Sequence, residues 1–261
     1  MIYKNDQPLV SVLMTAYNRQ KYIAQAIESV LASTYSNLEL IISDDCSTDS
    51  TVEIAREYEV NDSKIKVFAN NENLGDYYNR NKAASYAKGK YIKYLDSDDI
   101  MYPHCLQVMV SAMEKFPEAG FGLSAMAQED RPYPVCISQH DAYKEHFNGF
   151  GHFNRAPGSA IIKRDAFIKV GGFSGNRMIG DNELWFALAR IFKLVKMQRD
   201  LVWDRVHKEQ ERQSEYAKQY DTLLRKVLKD ALSHPECPFS NEEKKQALQQ
   251  LQLRKFKNLF Q

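Results

Sequence analysis

The chain has 261 residues, 44% hydrophobic and 26% charged, with a formal net charge of +1. This is an ordinary globular composition that gives no overall case for nucleic-acid binding. No run approaches the ~18 apolar residues that span a membrane, and Met1 to Pro8 lacks the apolar core of a secretory signal. The four cysteines, Cys46, Cys105, Cys136 and Cys237, form no C-x-x-C pair, which argues against a zinc or disulfide framework and for a reduced, cytoplasmic setting.

In chain order, Leu9 to Thr15 is a nearly continuous apolar, β-rich run, as buried parallel strands are. Ala16-Tyr17-Asn18 breaks it, and Lys21 to Thr34 repeats apolar residues at a helical period. Leu38 to Ser43 is a second strand that ends in Asp44-Asp45. Ser47 to Ser50 supplies N-cap residues for a helix over Thr51 to Tyr58. Ile65 to Phe68 is a third strand, Asn70 to Gly75 a turn, and Tyr77 to Ala87 a helix with Gly89 as its C-terminal glycine. Tyr91 to Leu95 is a fourth strand. Strand and helix alternate four times in the first hundred residues, which predicts an α/β fold with a parallel sheet and helices on both faces.

Met101 to Phe116 reads as a helix with Pro103 near its first position, and Gly120 to Met126 as a strand. Gln128 to Arg155 holds no clean period and reads as loops and one short helix shaping an acceptor pocket. Gly158 to Ile162 is a strand and Arg164 to Val170 a helix ending at Gly171-Gly172. Asp181 to Phe192 is helical, and Leu194 to Val206 forms one or two strands. Beyond Glu209 the chain is polar and helical, with Pro235 to Pro238 separating helices over Gln210 to Leu232 and Asn241 to Leu259. The expected division is a domain over 1–208 and a helical C-terminal extension over 209–261.

Ligands of such sheets bind beyond the carboxyl ends of the strands. Three of those ends carry unusual polar residues: Thr15 to Asn18, Asp44-Asp45, and Asp96-Ser97-Asp98-Asp99. Like charges in the last group repel by about 1 kcal/mol per pair at 4 Å even in bulk water. Either the cluster caps the following helix or it binds a cation. An EF-hand does not fit, because position 6 from Asp96 is Met101 and position 12 is Gln107. A magnesium or manganese ion on one or two carboxylates plus substrate phosphates fits better. Asp44-Asp45 would accept from a base N–H or a ribose hydroxyl, or else cap the next helix. Tyr17 would set an aromatic face against a base, or pack as an ordinary strand-end residue. Arg80 and Lys82 would face phosphates, or form a solvated helix face. Gly120 to Ala125 lacks the following helix and ribose acid of a dinucleotide fingerprint.

Val10 to Asn18, Leu40 to Asp49, Asn73-Leu74-Gly75, Arg80-Asn81 and Tyr94 to Asp99 together resemble family 2 glycosyltransferases of GT-A fold, in order and in spacing. The resemblance covers residues 9 to 208. It implies a Rossmann-like, mostly parallel sheet and an inverting transfer from a nucleotide-diphosphate sugar, UDP-sugar first, to an acceptor hydroxyl, with Mg2+ or Mn2+ as cofactor. By position it implies Thr15, Tyr17, Asn18, Asp44, Asp45, Arg80 and Asp96 as nucleotide-binding residues, and Asp98 as the metal ligand. Asp99 is a third candidate that the family pattern does not require.

The family's general base falls on Asp181, with Gly180 where an acid is usual and Glu183 as the runner-up; Asp181 also suits a helix N-terminus on dipole grounds alone. Arg205-Val206-His207 resembles a late R-x-H segment, which implies His207 at the metal or diphosphate. His152 is a candidate to line the acceptor pocket. The partners implied are the donor and a glycan or lipid-linked acceptor in cell-surface polysaccharide assembly. The apolar residues from Ala247 to Phe260 leave two readings open: packing on the domain or a partner chain as in a homodimer, or attachment to anionic lipid at the inner face of the membrane. A nucleotidyltransferase is the rival enzyme, disfavoured because Thr15 to Arg19 contains no glycine. A non-catalytic nucleotide-sugar binder is the other rival, kept open by Gly180.

Overall fold

The computed structural model describes residues 7–125, 132–210 and 213–257. Strands β1 (Val10–Ala16), β2 (Leu38–Asp44), β3 (Ile65–Ala69) and β4 (Tyr91–Asp96) are mutually parallel, and the crossovers hold α1 (Ile23–Leu31), α2 (Thr51–Asn61) and α3 (Asp76–Tyr86). All seven residues of β1 are buried, as its unbroken apolar run requires of a strand covered on both faces. Helix α1 buries Ile23, Ala26, Ile27 and Val30, one stripe at the helical period.

Past β4 come β5 (Ile100–Met101), α4 (Cys105–Lys115), β6 (Ala119–Ser124), β7 (Val135–Ile137), α5 (Gln139–Glu145), β8 (Ala160–Lys163), α6 (Arg164–Lys169), α7 (Gly180–Ile191), β9 (Lys193–Met197) and β10 (Val202–Trp203). The main sheet runs β3-β2-β1-β4-β8-β6-β9-β7, and β5 pairs with β10 in a small antiparallel ribbon. β1 lies between β2 and β4, so the order reverses there and a crevice opens at the carboxyl ends of β1 and β4. The register sets Thr15 opposite both Ser43 and Asp96, and Ala16 opposite Asp44. The three polar strand ends therefore do share one rim.

The sheet is mostly parallel, as the resemblance implies, with two antiparallel strands. β8 runs antiparallel between β4 and β6, and β7 antiparallel on the edge. Lys93 of β4 is fully buried, and its ammonium donates to the carbonyls of Tyr94 (2.8 Å) and Gly158. That contact pins the 3-10 turn Pro157–Ser159 which leads into β8.

Several local expectations give way to other devices. Gly89 is not a left-handed helix terminus, since α3 ends on extended Ala87. Gly89 is needed for proximity: a Cβ there would stand 2.6 Å from the Ser11 nitrogen and 2.7 Å from the Leu9 carbonyl oxygen. Helix α2 is capped by the Asp49 carboxylate, which accepts from Thr51 N–H at 3.0 Å, and no Ser50 side-chain bond is made. Pro103 precedes the N-cap His104 of α4 and does not occupy the first turn, because Ile100-Met101 is drawn into the ribbon with β10. Within Gln128 to Arg155, Val135–Ile137 adds a sheet strand that the irregular pattern did not show, while residues 128–131 lie outside the described residues.

Two C-terminal helices, α8 (Tyr220–Ser233) and α9 (Asn241–Lys257), follow a short 3-10 segment. Val227, Leu228, Ala231, Leu232, Ala247 and Leu251 join one apolar cluster with Trp185 and Phe186 of α7. The described part of the extension thus packs on the body of the chain. The side chains of Leu253 and Phe256, and residues Leu259 and Phe260, lie outside what is described. Among the described residues no helix is long and apolar enough to cross a membrane.

Candidate active site

The β1–β2 side of the rim is built from short side chains that bind one another. Asn18 adopts a left-handed φ of 53°, which an Asn tolerates, and its side-chain Oδ1 accepts from Thr48 N–H at 2.9 Å. Its own N–H donates to Ser47 Oγ. The Asp44 carboxylate accepts from the N–H (2.8 Å) and hydroxyl (2.5 Å) of Ser47, and burial pushes its pKa up. Asp45 takes Leu74 N–H (2.8 Å) and Asn70 Nδ2 (3.0 Å) on one oxygen and Gly75 N–H (2.9 Å) on the other. Asn79 ties Ser43 and Asn70 into the same network.

Asn18, Asp44 and Asp45 therefore shape the loops of the rim, and Asp45 holds Asn73-Leu74-Gly75 against the end of β2. Thr15 is nearly buried, whereas Tyr17 is 47% exposed at the lip, free to present its ring. Lys82 stays on an exposed helix face, but Arg80 does not. Its guanidinium is 5% exposed and lies 2.9 Å from Asp76 Oδ1 and 2.7 Å from Asp96 Oδ1. Its Nε and Nη1 and the Asp96 oxygen lack well-aligned hydrogen bonds, so these are ion pairs held by charge more than by direction. Arg80 thus fixes Asp96 at the rim.

The acidic corner is more structured than its sequence suggests. Asp98 Oδ2 receives Arg19 Nε at 3.0 Å and lies 2.9 Å from His207 Nε2. Asp99 is 7% exposed and accepts from Arg205 N–H at 3.0 Å. Burial, with Asp96 next, drives the Asp99 carboxyl up to about 8. Arg205 also donates to the Asp98 carbonyl and to Gln25. Asp99 thus anchors the Arg205 to Gln210 segment that carries His207 over Asp98, and the His207 ring rests on Tyr22 at 4.7 Å.

Sequence reasoning missed Arg19. Its signal was a lone cation one residue past a strand-end Asn. Among the described residues no three His, Cys, Asp or Glu side chains form a group able to hold a metal by themselves. The residues present fit an ion that takes one carboxylate and one imidazole, Asp98 and His207, and finds its other ligands in phosphate oxygens and water. Asp98 Oδ2 already carries the Arg19 contact, so an ion there would share or replace that charge.

Across the crevice, Asp181 sits in the first turn of α7 with its Oδ1 accepting from Asn182 N–H at 2.8 Å. It is half-buried by exposed area, and loss of water is the main reason its carboxyl rises to about 7. The Asn182 N–H, the Tyr77 hydroxyl and the Arg80 charge each pull it partly back. Arg80 connects the two sides, since it pairs with Asp96 and also acts on Asp181. Glu183 is engaged elsewhere, bonding Ser174 Oγ and Asn176 Nδ2 (3.0 Å).

Next to Asp181, Asn182 Nδ2 donates to the Phe153 carbonyl and Trp185 Nε1 to the Arg155 carbonyl, both at 2.7 Å. These bonds hold the 153–155 loop beside Asp181. His152 is nearly buried on Glu145 Oε2 at 2.7 Å, which Lys196 shares at 2.8 Å. A separate cavity of about 370 Å³, lined by Val108, Ser111, Tyr133 and Met197 among others, includes none of these rim residues.

A doubly wound sheet with a crevice and an acidic corner at its reversal point defines an α/β protein whose ligand site lies at that switch point. Comparison narrows this further. The sequence profile of Glycosyl transferase family 2 matches residues 11–178, and the chain belongs to that family. The putative teichuronic acid biosynthesis glycosyltransferase TuaG of Bacillus subtilis is 39% identical over 148 residues, covering 54% of this chain and 59% of TuaG. The chain therefore spans less than two thirds of that relative. Staphylococcus aureus TarS (residues 1–349) in complex with UDP-GlcNAc shares the fold, with a TM-score of 0.73 at 18% identity over 95% of this chain and 72% of TarS 1–349. The mannosyltransferase PcManGT of Pyrobaculum calidifontis, in complex with GDP-Man and Mn2+, superposes with a TM-score of 0.64 at 17% identity over 88% of this chain and 64% of that one.

Proposed function

We propose that the chain transfers a sugar, with inversion, from a nucleotide-diphosphate sugar, UDP-sugar first, to an acceptor hydroxyl in cell-surface polysaccharide or glycoconjugate synthesis. Residues 1–208 form the catalytic unit and 209–261 an extension that packs on it. The observation that carries this reading is Asp181: a half-buried carboxylate titrating near 7, held over a helix N-terminus and linked through Arg80 to the acidic corner. A general base works best with a pKa near the operating pH. Asp181 takes the proton of the acceptor hydroxyl as its oxygen attacks the anomeric carbon. Tyr17 presents its ring to the base, Thr15, Asn18, Asp44 and Asp45 shape the nucleoside rim, and Asp96 faces the ribose end. Asp98 and His207 would hold Mg2+ or Mn2+, whose chemistry is to neutralise the departing diphosphate. Arg19 is the resident cation on Asp98 when no ion is there.

TuaG is named for teichuronic acid biosynthesis and TarS binds UDP-GlcNAc, which supports a UDP-linked donor and a cell-envelope acceptor. The experiment is titration of UDP into the protein with Mn2+ and with chelator, beside a donor-hydrolysis assay over a panel of NDP-sugars. Tighter UDP binding with Mn2+, together with turnover of one donor, is the expected result. Equal affinity in both conditions removes Asp98 and His207 as ligands. Binding without any turnover or transfer moves the chain to a non-catalytic binder.

A further inference from the structure

Gly180 and Tyr77 are packed against each other at the point where Asp181 enters the crevice. A Cβ built on Gly180 would stand 2.7, 2.8 and 2.9 Å from Cδ2, Cε2 and Cγ of Tyr77. Those are distances that side-chain carbons do not adopt, so the ring fills the space any residue with a side chain would need at 180. Tyr77 is 7% exposed and its outer side is closed by Phe173, with ring centroids 5.1 Å apart. The ring therefore has no room to swing away. From this seat Tyr77 lies near enough to Asp181 that its hydroxyl favours the charged carboxylate. Tyr77 lies in the first turn of α3 and Gly180 opens α7. The contact thus couples the helix that carries Arg80 to the helix that carries the base.

We propose that Tyr77 is the positioning residue of the base, its ring seating the first turn of α7 through Gly180 and its hydroxyl orienting the Asp181 carboxylate toward the acceptor. The proposal rests on the reading of Asp181 as the base. The other groups facing that carboxylate are Asp76 and Arg80 from α3, Tyr220 from α8, and Asn182 of its own helix. Arg80 and Asn182 favour the charged form and Asp76 opposes it. Tyr77 is held in its neutral, donating form by burial. Removing its hydroxyl therefore moves Asp181 further toward the protonated acid.

The test needs no knowledge of the substrate. The protein is labelled with aspartate carrying 13C at the side-chain carboxyl, and the Asp181 resonance is assigned by its loss in Asp181→Asn. Its titration is then followed in wild type, Tyr77→Phe and Gly180→Ala. Tyr77→Phe keeps the ring and its packing and removes only the oxygen, so the midpoint should rise by about one pH unit, a tenfold change in ionisation constant. Gly180→Ala pushes the ring off its seat and should move the midpoint in the same direction, so the idea stays testable if one variant fails to fold. Adding Tyr77→Leu to Gly180→Ala should cost less stability than the sum of the two single changes, because the collision is then relieved. Midpoints within 0.2 units of wild type in every folded variant, a threshold well inside the one-unit shift expected for a lost hydrogen bond, overturn the proposal. The base reading stands or falls separately, on whether Asp181→Asn still catalyses transfer.

Discussion

Replacing Asp181 by Asn should make the protein more stable while it stops the reaction. The carboxyl stands at about 7 in the fold against an ordinary value of 3.8. Between those values the folded chain holds a proton that the unfolded chain releases, so stability falls as pH rises. The protonated Asp181 makes its full contribution below about pH 4, and that contribution is lost as pH climbs through 7. Three units at 1.36 kcal/mol each set a ceiling of about 4 kcal/mol, and because the group is half-buried and partly screened about 2 kcal/mol is the working figure. The amide keeps the shape and has no charge to desolvate, so it escapes this cost. For a chain of this size that is roughly a 5 °C gain in Tm at pH 8, fading toward nothing as pH falls to 4. Thermal melts of both proteins from pH 4 to 8.5 would show it. Transfer should drop by about 10²–10⁴-fold, the usual worth of a general base. A difference in Tm that does not change with pH, or an Asn variant less stable at pH 8, would refute the argument that the Asp181 charge is held in a costly place.

Three further outcomes follow from contacts described above. Arg80→Met should destabilise by about 2 kcal/mol, short of the 3–5 of a wholly buried pair because Asp76 and Asp96 can still reach water, and denaturant melts would measure it. The same variant should weaken UDP binding, since Asp96 loses its support. Gly89→Ala drives a methyl into the backbone of Leu9 and Ser11 and should cost about 2–3 kcal/mol in the same melts. Glu183→Gln, at a side chain that bonds Ser174 and Asn176, should leave the pH profile of transfer in place; a shifted acidic limb would return Glu183 to candidacy as the base.

Much of the first hundred residues could be read directly, because each βα unit buries one period of side chains against its neighbour. The period of α1 and the unbroken run of β1 are local signals. The elements that escaped notice depend on partners far along the chain. β7 is three residues long and gains its identity only by pairing with β9. β5 and β10 are two-residue strands separated by a hundred positions. Arg19 meets Asp98 across 79 residues, and Asp99 meets Arg205 across 106. Neither spacing leaves a trace in local pattern. The rim carboxylates were visible as unusual strand ends. Their division of labour was not, because Asp44, Asp45 and Asp99 differ from Asp98 only in which N–H groups the loops bring to them.

The place of β8 has a consequence for how the chain is made. β4 is complete at Asp96, but its second neighbour begins at Ala160. During synthesis at roughly 5–20 residues per second, the edge of β4 waits several seconds without a partner. Such an edge invites pairing with other chains, and an inward-facing lysine is a recognised guard against it. Lys93 sits in the middle of that strand. In the finished fold that ammonium meets the Gly158 carbonyl, so this lysine is buried and satisfied only with the segment that leads into β8 in place.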